Sequence, residues 1–135
     1  MIFLDSWVWL EYFSENKNKE AIRLVENVSI NRVINPAVLL EIKYRIAKKS
    51  GLEKANNVVF FIQNLGNVKI IPITDEIALL ASDLRLKYYN KKTRDLSFID
   101  TINLATAVLT GCEALYTGDK DFEGINEIKI KIIWF

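Results

Sequence analysis

Short apolar runs alternate along the chain with longer amphipathic ones. Ile2 to Leu4 reads as a strand, and Ser6 stands where it would cap a helix running through Trp9, Tyr12 and Phe13. Glu20 to Val28 reads as a second helix and Arg32 to Asn35 as a short strand. Pro36 sits at a helix start, where its missing N–H is tolerated. That helix runs to about Lys49, with Gly51 suited to its C-terminal end. Leu52 to Leu65 is a further helix, stopped near Gly66, and Val68 to Pro72 a strand. Thr74 caps a helix on which Ile77, Leu80, Ala81, Leu84 and Tyr88 recur at helical spacing. Ser97 caps another, with Phe98, Ile102, Ala105 and Leu109 on one stripe and Gly111 at its end. Ala114 to Thr117 and Ile128 to Ile133 are the last two strands.

Strands alternating with helices predict an α/β domain, with a mostly parallel central sheet of four or five strands and helices on both faces. In such sheets a site forms at the carboxyl ends of the strands. The 135 residues fit one domain over 1–135, and half of them are hydrophobic, an ordinary globular composition. No repeat or linker interrupts the pattern, and short apolar runs such as Val58 to Ile62 read as core.

The chain contains no histidine. That excludes Ser-His-Asp and Cys-His hydrolases, histidine-based ribonucleases and nearly every zinc site. The single cysteine, Cys112, can form no intrachain disulfide and has no base to activate it, so it reads as a buried thiol. Hydrolytic chemistry must then rest on carboxylates, hydroxyls, lysines or a metal held by oxygen. The start lacks the basic segment and long apolar stretch of a secretory signal, and no run approaches a membrane span, so the expectation is a cytoplasmic protein with no membrane partner. A net charge of +1 gives no global attraction for nucleic acid, which would have to use local patches.

The acidic residues fall where a site is expected. Asp5 ends the first strand and Asp119 lies just past the Ala114–Thr117 strand, so both belong to one edge of the sheet. Asp100 is in the first turn of its helix, and Glu41 interrupts an apolar stretch in the helix that starts at Pro36. Each has a simpler role open to it: Asp5 as a helix cap, Glu41 paired with Arg45, Asp100 in a capping box with Ser97, and Asp119 and Asp121 as turn residues around Gly118. Joint placement is what favours a site.

Four segments carry a resemblance over nearly the whole chain: Ile-Phe-Leu-Asp-Ser-Trp-Val-Trp, Pro-Ala-Val-Leu-Leu-Glu-Ile, Leu-Ser-Phe-Ile-Asp-Thr-Ile-Asn-Leu-Ala-Thr-Ala and Leu-Tyr-Thr-Gly-Asp-Lys-Asp-Phe. In this order they resemble the motifs of the PIN domain, particularly the small VapC-like toxins of toxin–antitoxin pairs. The resemblance implies a PIN-like three-layer α/β/α sandwich. It implies catalytic, metal-holding roles for Asp5, Glu41, Asp100 and Asp119, with Asp121, Ser6, Thr117 and Asn103 in support; packing or capping is an equal reading of Asn103.

A site of carboxylates alone suits Mg²⁺ or Mn²⁺. The resemblance therefore implies a metal-dependent endoribonuclease, hydrolysing by in-line attack of an activated water and leaving a 5′-phosphate and a 3′-hydroxyl. Arg85, Lys87, Lys91, Lys92 and Arg94, interleaved with Tyr88 and Tyr89, are a candidate RNA path, as is Arg45 with Lys48 and Lys49; a solvated helix end is the simpler reading. A cognate antitoxin and a homodimer are the further partners implied, with Trp7, Trp9, Tyr12 and Phe13 offering apolar area. The rivals are a PIN nuclease of RNA processing or decay and a non-catalytic PIN-like binding module. A receiver domain would need paired acids after the first strand, and a haloacid-dehalogenase-type phosphatase would need Asp where Trp7 stands.

Overall fold

The computed structural model describes residues 1–133, so the last two residues of the expected 1–135 domain lie outside it. Five strands pair in parallel throughout. They are β1 (Ile2–Leu4), β2 (Arg32–Ile34), β3 (Val68–Ile70), β4 (Ala114–Thr117) and β5 (Lys129–Ile132), in the order β3-β2-β1-β4-β5. The helices are α1 (Ser6–Tyr12), α2 (Lys19–Glu26), α3 (Pro36–Ser50), α4 (Leu52–Gln63), α5 (Asp75–Tyr88) and α6 (Phe98–Leu109). They complete a three-layer α/β/α sandwich. Parallel neighbours need long crossovers, and the helices supply them. The strands β1 and β2 are buried at every residue; β1 is an unbroken apolar run, and β2 opens with the buried Arg32.

The strand order places the site. From β1 the chain builds outward through β2 to β3, then returns to lay β4 against the other side of β1. Connections diverge from the β1–β4 boundary, so a crevice opens at the carboxyl ends of these two strands. Asp5 follows β1 directly, and Thr117 ends β4 beside it. The register pairs Leu4 with Tyr116, and the Asp5 N–H donates to the Tyr116 carbonyl at 3.1 Å.

Several expectations shift. Asp5, not Ser6, caps α1: its side chain accepts from the Trp7 N–H, and Ser6 is the first helical residue. α2 stops at Glu26, capped by Asn27, and leaves Val28 exposed. The stripe expected on α6 is misplaced. Phe98 and Leu109 are exposed, and the helix buries Thr101, Asn103, Leu104, Ala105, Thr106 and Ala107 instead. Small side chains let α6 lie close against β1, β2 and β4, so polar positions are drawn inside. Within Val58 to Ile62 only the two ends are core; Phe60 is exposed, and the half-exposed Phe61 packs on the rings of Tyr12 and Phe13.

Arg32 is fully buried at the opposite end of the sheet. It donates to the Leu24 carbonyl at 3.3 Å and to the carbonyls of Val25 and Gly66, so it ties the end of α2 to β2.

Candidate active site

The carboxyl edge of β1 and β4 gathers the acidic residues through a chain of hydroxyl contacts. Thr117 is buried, and its hydroxyl donates to Asp5 Oδ2 at 2.5 Å. The same oxygen accepts from the Asp119 N–H at 3.0 Å. One threonine thus fixes Asp5 and starts the turn that carries Asp119. Asp5 is 5% exposed, and its other oxygen accepts from the Trp7 N–H at 2.8 Å. Ser6 donates to Glu41 Oε1 at 3.1 Å, which joins α1 to α3. The expected Glu41–Arg45 ion pair does not form; Arg45 is exposed.

Asp100 makes the capping box that the sequence suggested. Its Oδ2 accepts from the Ser97 N–H at 2.9 Å, and its N–H donates to Ser97 Oγ at 3.0 Å. The box leaves acceptor capacity on the Asp100 carboxylate for a further partner. Asp119 Oδ1 accepts from the Asp121 N–H at 2.9 Å and so caps a single 3-10 turn over Lys120–Phe122. That cap consumes the Asp121 backbone, and the Asp121 side chain enters the site only as a like charge beside Asp119.

The electrostatics follow from burial. Desolvation raises the Asp5 carboxyl from 3.8 to about 7, against the Thr117 hydroxyl and the Trp7 N–H, and the charges of Asp100 and Glu41 add to the rise. Desolvation likewise lifts Asp100 to about 6, despite the two Ser97 contacts, with Asp119 and Glu41 adding to it. Asp119 is raised by burial and by the nearby Asp121 and Asp95. Asp95 is an acidic neighbour that sequence reasoning missed. The four expected carboxylates are thus linked by repulsion, Asp5 with Asp100 and Glu41, and Asp100 with Asp119 and Glu41.

The donor set fits a hard divalent cation, since it offers only carboxylate and hydroxyl oxygen. Among the described residues no three acidic or sulfur side chains converge into a ready metal cage.

Two residues carry more than the sequence suggested. Asn35 caps α3 by accepting from the Val38 N–H at 3.1 Å, and its amide donates to Asn103 Oδ1 at 3.0 Å and Thr106 Oγ1 at 2.9 Å. All three are buried. Asn103 therefore serves packing, one turn beyond Asp100, and Asn35 locks the Glu41 helix to the Asp100 helix. An Asn-Pro pair at a strand end signals the cap; nothing in the sequence signals the long-range partners. Gly118 is the other. A Cβ there would fall 1.9 Å from the Trp7 ring, so only glycine lets the indole lie over the β4 turn.

The candidate RNA path is partly committed elsewhere. Lys87 pairs with Glu127 at 2.7 Å, and Arg94 packs on Tyr88 and donates to the Glu123 carbonyl. Arg85 is stacked between Tyr89 and Phe98. Lys91 and Lys92 are exposed. Arg45 and Lys49 rim a hollow of about 200 Å³ floored by Leu10, Phe13 and Ile46. Of the aromatic residues near the site, Trp9 and Tyr12 are core, while Trp7 and Phe13 are half-buried.

The family model of the PIN domain matches residues 2–128. A toxin–antitoxin complex from Klebsiella pneumoniae is 25% identical, with a TM-score of 0.70 and 95% of each chain covered. VapC20 of Mycobacterium tuberculosis, described as a toxin cleaving the sarcin–ricin loop, is 21% identical with a TM-score of 0.75, covering 96% of this chain and 99% of that one. VapBC2 from Rickettsia felis, solved on a promoter DNA fragment, is 17% identical with a TM-score of 0.76 and 98% of each chain covered. Comparison with curated proteins by sequence finds no match.

Proposed function

The chain belongs to the PIN-domain family, and on that premise we propose that it is a metal-dependent endoribonuclease, the toxin of a VapBC-type pair. The observation that carries the reading is that Asp5 and Asp100, buried and half-buried near the carboxyl edge of β1 and β4, are held far above the usual carboxylate range by desolvation, with the charges of Glu41 and Asp119 adding to the rise. Such a cluster is stabilised by a cation and is costly without one.

Asp5, Asp100 and Asp119 are the residues that would hold Mg²⁺ or Mn²⁺, directly or through water, with Glu41 as a further ligand or as the group that orients water. The bound ion would neutralise charge on the attacked phosphate and make a water acidic enough to serve as nucleophile. Thr117 keeps one Asp5 oxygen turned away from solvent, and so leaves Asp5 a single orientation. Ser6 does the same for Glu41. Burial of Asp5 keeps bulk water from screening these charges.

A cognate antitoxin as partner is supported by the likeness to the Klebsiella pneumoniae toxin–antitoxin complex. A homodimer and a cytoplasmic setting complete the reading; among the described residues no helix is long and apolar enough to cross a membrane. The test is the chemistry of the ends. Incubation with labelled single-stranded RNA and Mg²⁺ or Mn²⁺ should leave a 5′-phosphate and a 3′-hydroxyl, and EDTA should stop it. A 2′,3′-cyclic phosphate product would refute hydrolysis of this kind.

A further inference from the structure

We propose that RNA reaches the acidic cluster along the groove between α1 and α3, with Arg45 and Lys49 on its phosphates and one unstacked base seated in a hollow at the far end of the groove. This rests on the nuclease reading and deepens it by choosing the path of the substrate. Its test reads binding, not cleavage, so either can fail without the other.

The groove starts at the site. Ser6 on α1 donates to Glu41 on α3 at 3.1 Å. One turn further along each helix stand Leu10 and Arg45, and both line a hollow of about 200 Å³. Leu10, Phe13 and Ile46 make its floor, and Arg45, Lys49 and Lys54 its basic rim. Glu41, Arg45 and Lys49 follow one another in steps of four residues, roughly 6 Å of rise each. They therefore form one stripe along α3 that runs from carboxylate to cations.

The cations on the rim are uncommitted. Arg45, Lys49 and Lys54 are exposed, and among the described residues none of them is in an ion pair. Glu15 is the one acid lining the hollow, against three cations. The α5 side differs: Lys87 is held by Glu127, Arg94 by Tyr88 and the Glu123 carbonyl, and Arg85 by two rings. Asp75, Glu76 and Asp83 also stand exposed along α5, where a phosphate chain would be repelled.

The floor decides the occupant. An apolar hollow with a basic rim suits an anion that carries a flat apolar part, and a nucleotide joins the two. Acidic peptide side chains would match the rim but bring no ring to cover Leu10, Phe13 and Ile46. The aromatic wall is set in advance: Phe13 makes T-shaped contacts with Tyr12 and Phe61, at centroid distances of 5.0 and 5.6 Å.

The test uses the full chain carrying Asp100→Asn, in Mg²⁺, and the anisotropy of a short fluorescein-labelled single-stranded RNA. Arg45→Ala with Lys49→Ala should weaken binding about tenfold or more. It should also lower the slope of log affinity against log salt by about 1.4, the value for two phosphate contacts on a single strand. Lys91→Ala with Lys92→Ala should do neither. Ser50 is exposed at the end of α3 and lines the hollow, so Ser50→Trp plugs it without removing charge. That variant should bind this RNA about tenfold more weakly and an abasic strand of the same length as well as its parent does, because only a base needs the floor. All these substitutions are at exposed residues, and circular dichroism should match the parent. Unchanged affinity and salt slope in the Arg45–Lys49 variant would overturn the proposal, as would an equal effect of Ser50→Trp on both strands. A polyglutamate peptide that binds the groove more tightly than the RNA would overturn it too, and would assign the groove to an acidic protein.

Discussion

Asp5 sets the tone at the scale of single residues, because its local structure and its electrostatics pull in opposite directions. Its carboxyl stands at 3.8 in ordinary surroundings and at about 7 in the fold. Folding therefore takes up a proton across that window, and stability of the metal-free protein is full below it and falls as pH rises through it. Asp100 and Asp119, also raised, act in the same direction. In EDTA the melting temperature should drop between about pH 4 and pH 7, and Asp5→Asn should remove much of the drop. A melting temperature that climbs with pH would contradict the burial account. Thr117 makes a second test. Thr117→Val removes the donor to Asp5 and the acceptor for the Asp119 N–H, and a cleavage loss of about 10- to 100-fold is expected, with Thr117→Ser close to wild type. Equal activity of Val and Ser variants would remove Thr117 from the site. Periodicity placed Asp5, Thr117 and Asp119 at or just past strand ends and Asp100 at a helix start, while the roles expected of them and of Glu41 rested on the resemblance to the PIN domain. Asp95 was not legible, because it lies in a loop whose position no pattern fixes.

At the scale of elements, the joints between helices matter most. Asn35 ties α3 to α6 with a fully satisfied side chain in the core. Asn35→Ala removes a helix cap and strands two buried partners, so urea denaturation should register a loss of about 2–4 kcal/mol. A loss under about 1 kcal/mol would mean that the clamp is incidental. Gly118→Ala forces a methyl into the Trp7 ring and should destabilise by about 1–3 kcal/mol, while shifting the turn that carries Asp119. An Ala variant as stable as wild type would show that the indole moves freely. Element order, caps and most boundaries were readable, since capping residues and glycine stops mark them. The buried face of α6 was not. The reading weighted large apolar side chains, and the fold buried alanines, threonines and an asparagine because a helix against the sheet centre needs small residues. Arg32 escaped for a similar reason: its two terminal nitrogens donate to carbonyls at the end of α2 and at Gly66, partners fixed only by tertiary structure.

For the whole molecule, the parallel order β3-β2-β1-β4-β5 is what turns scattered acids into a cluster. The change in direction of strand order beside β1 sets the carboxyl ends of β1 and β4 side by side, where Thr117 meets Asp5. The α/β class and the parallel sheet followed from the alternation of elements; the strand order did not, because alternation alone does not say which strand returns to β1. The most direct measurement of the central claim is cleavage of labelled single-stranded RNA by the purified chain in Mg²⁺ or Mn²⁺ and in EDTA, with Asp100→Asn alongside. Cleavage that requires the metal and disappears in Asp100→Asn is the predicted result. Cleavage that proceeds in EDTA and survives Asp100→Asn would contradict a carboxylate-held metal site at this edge of the sheet.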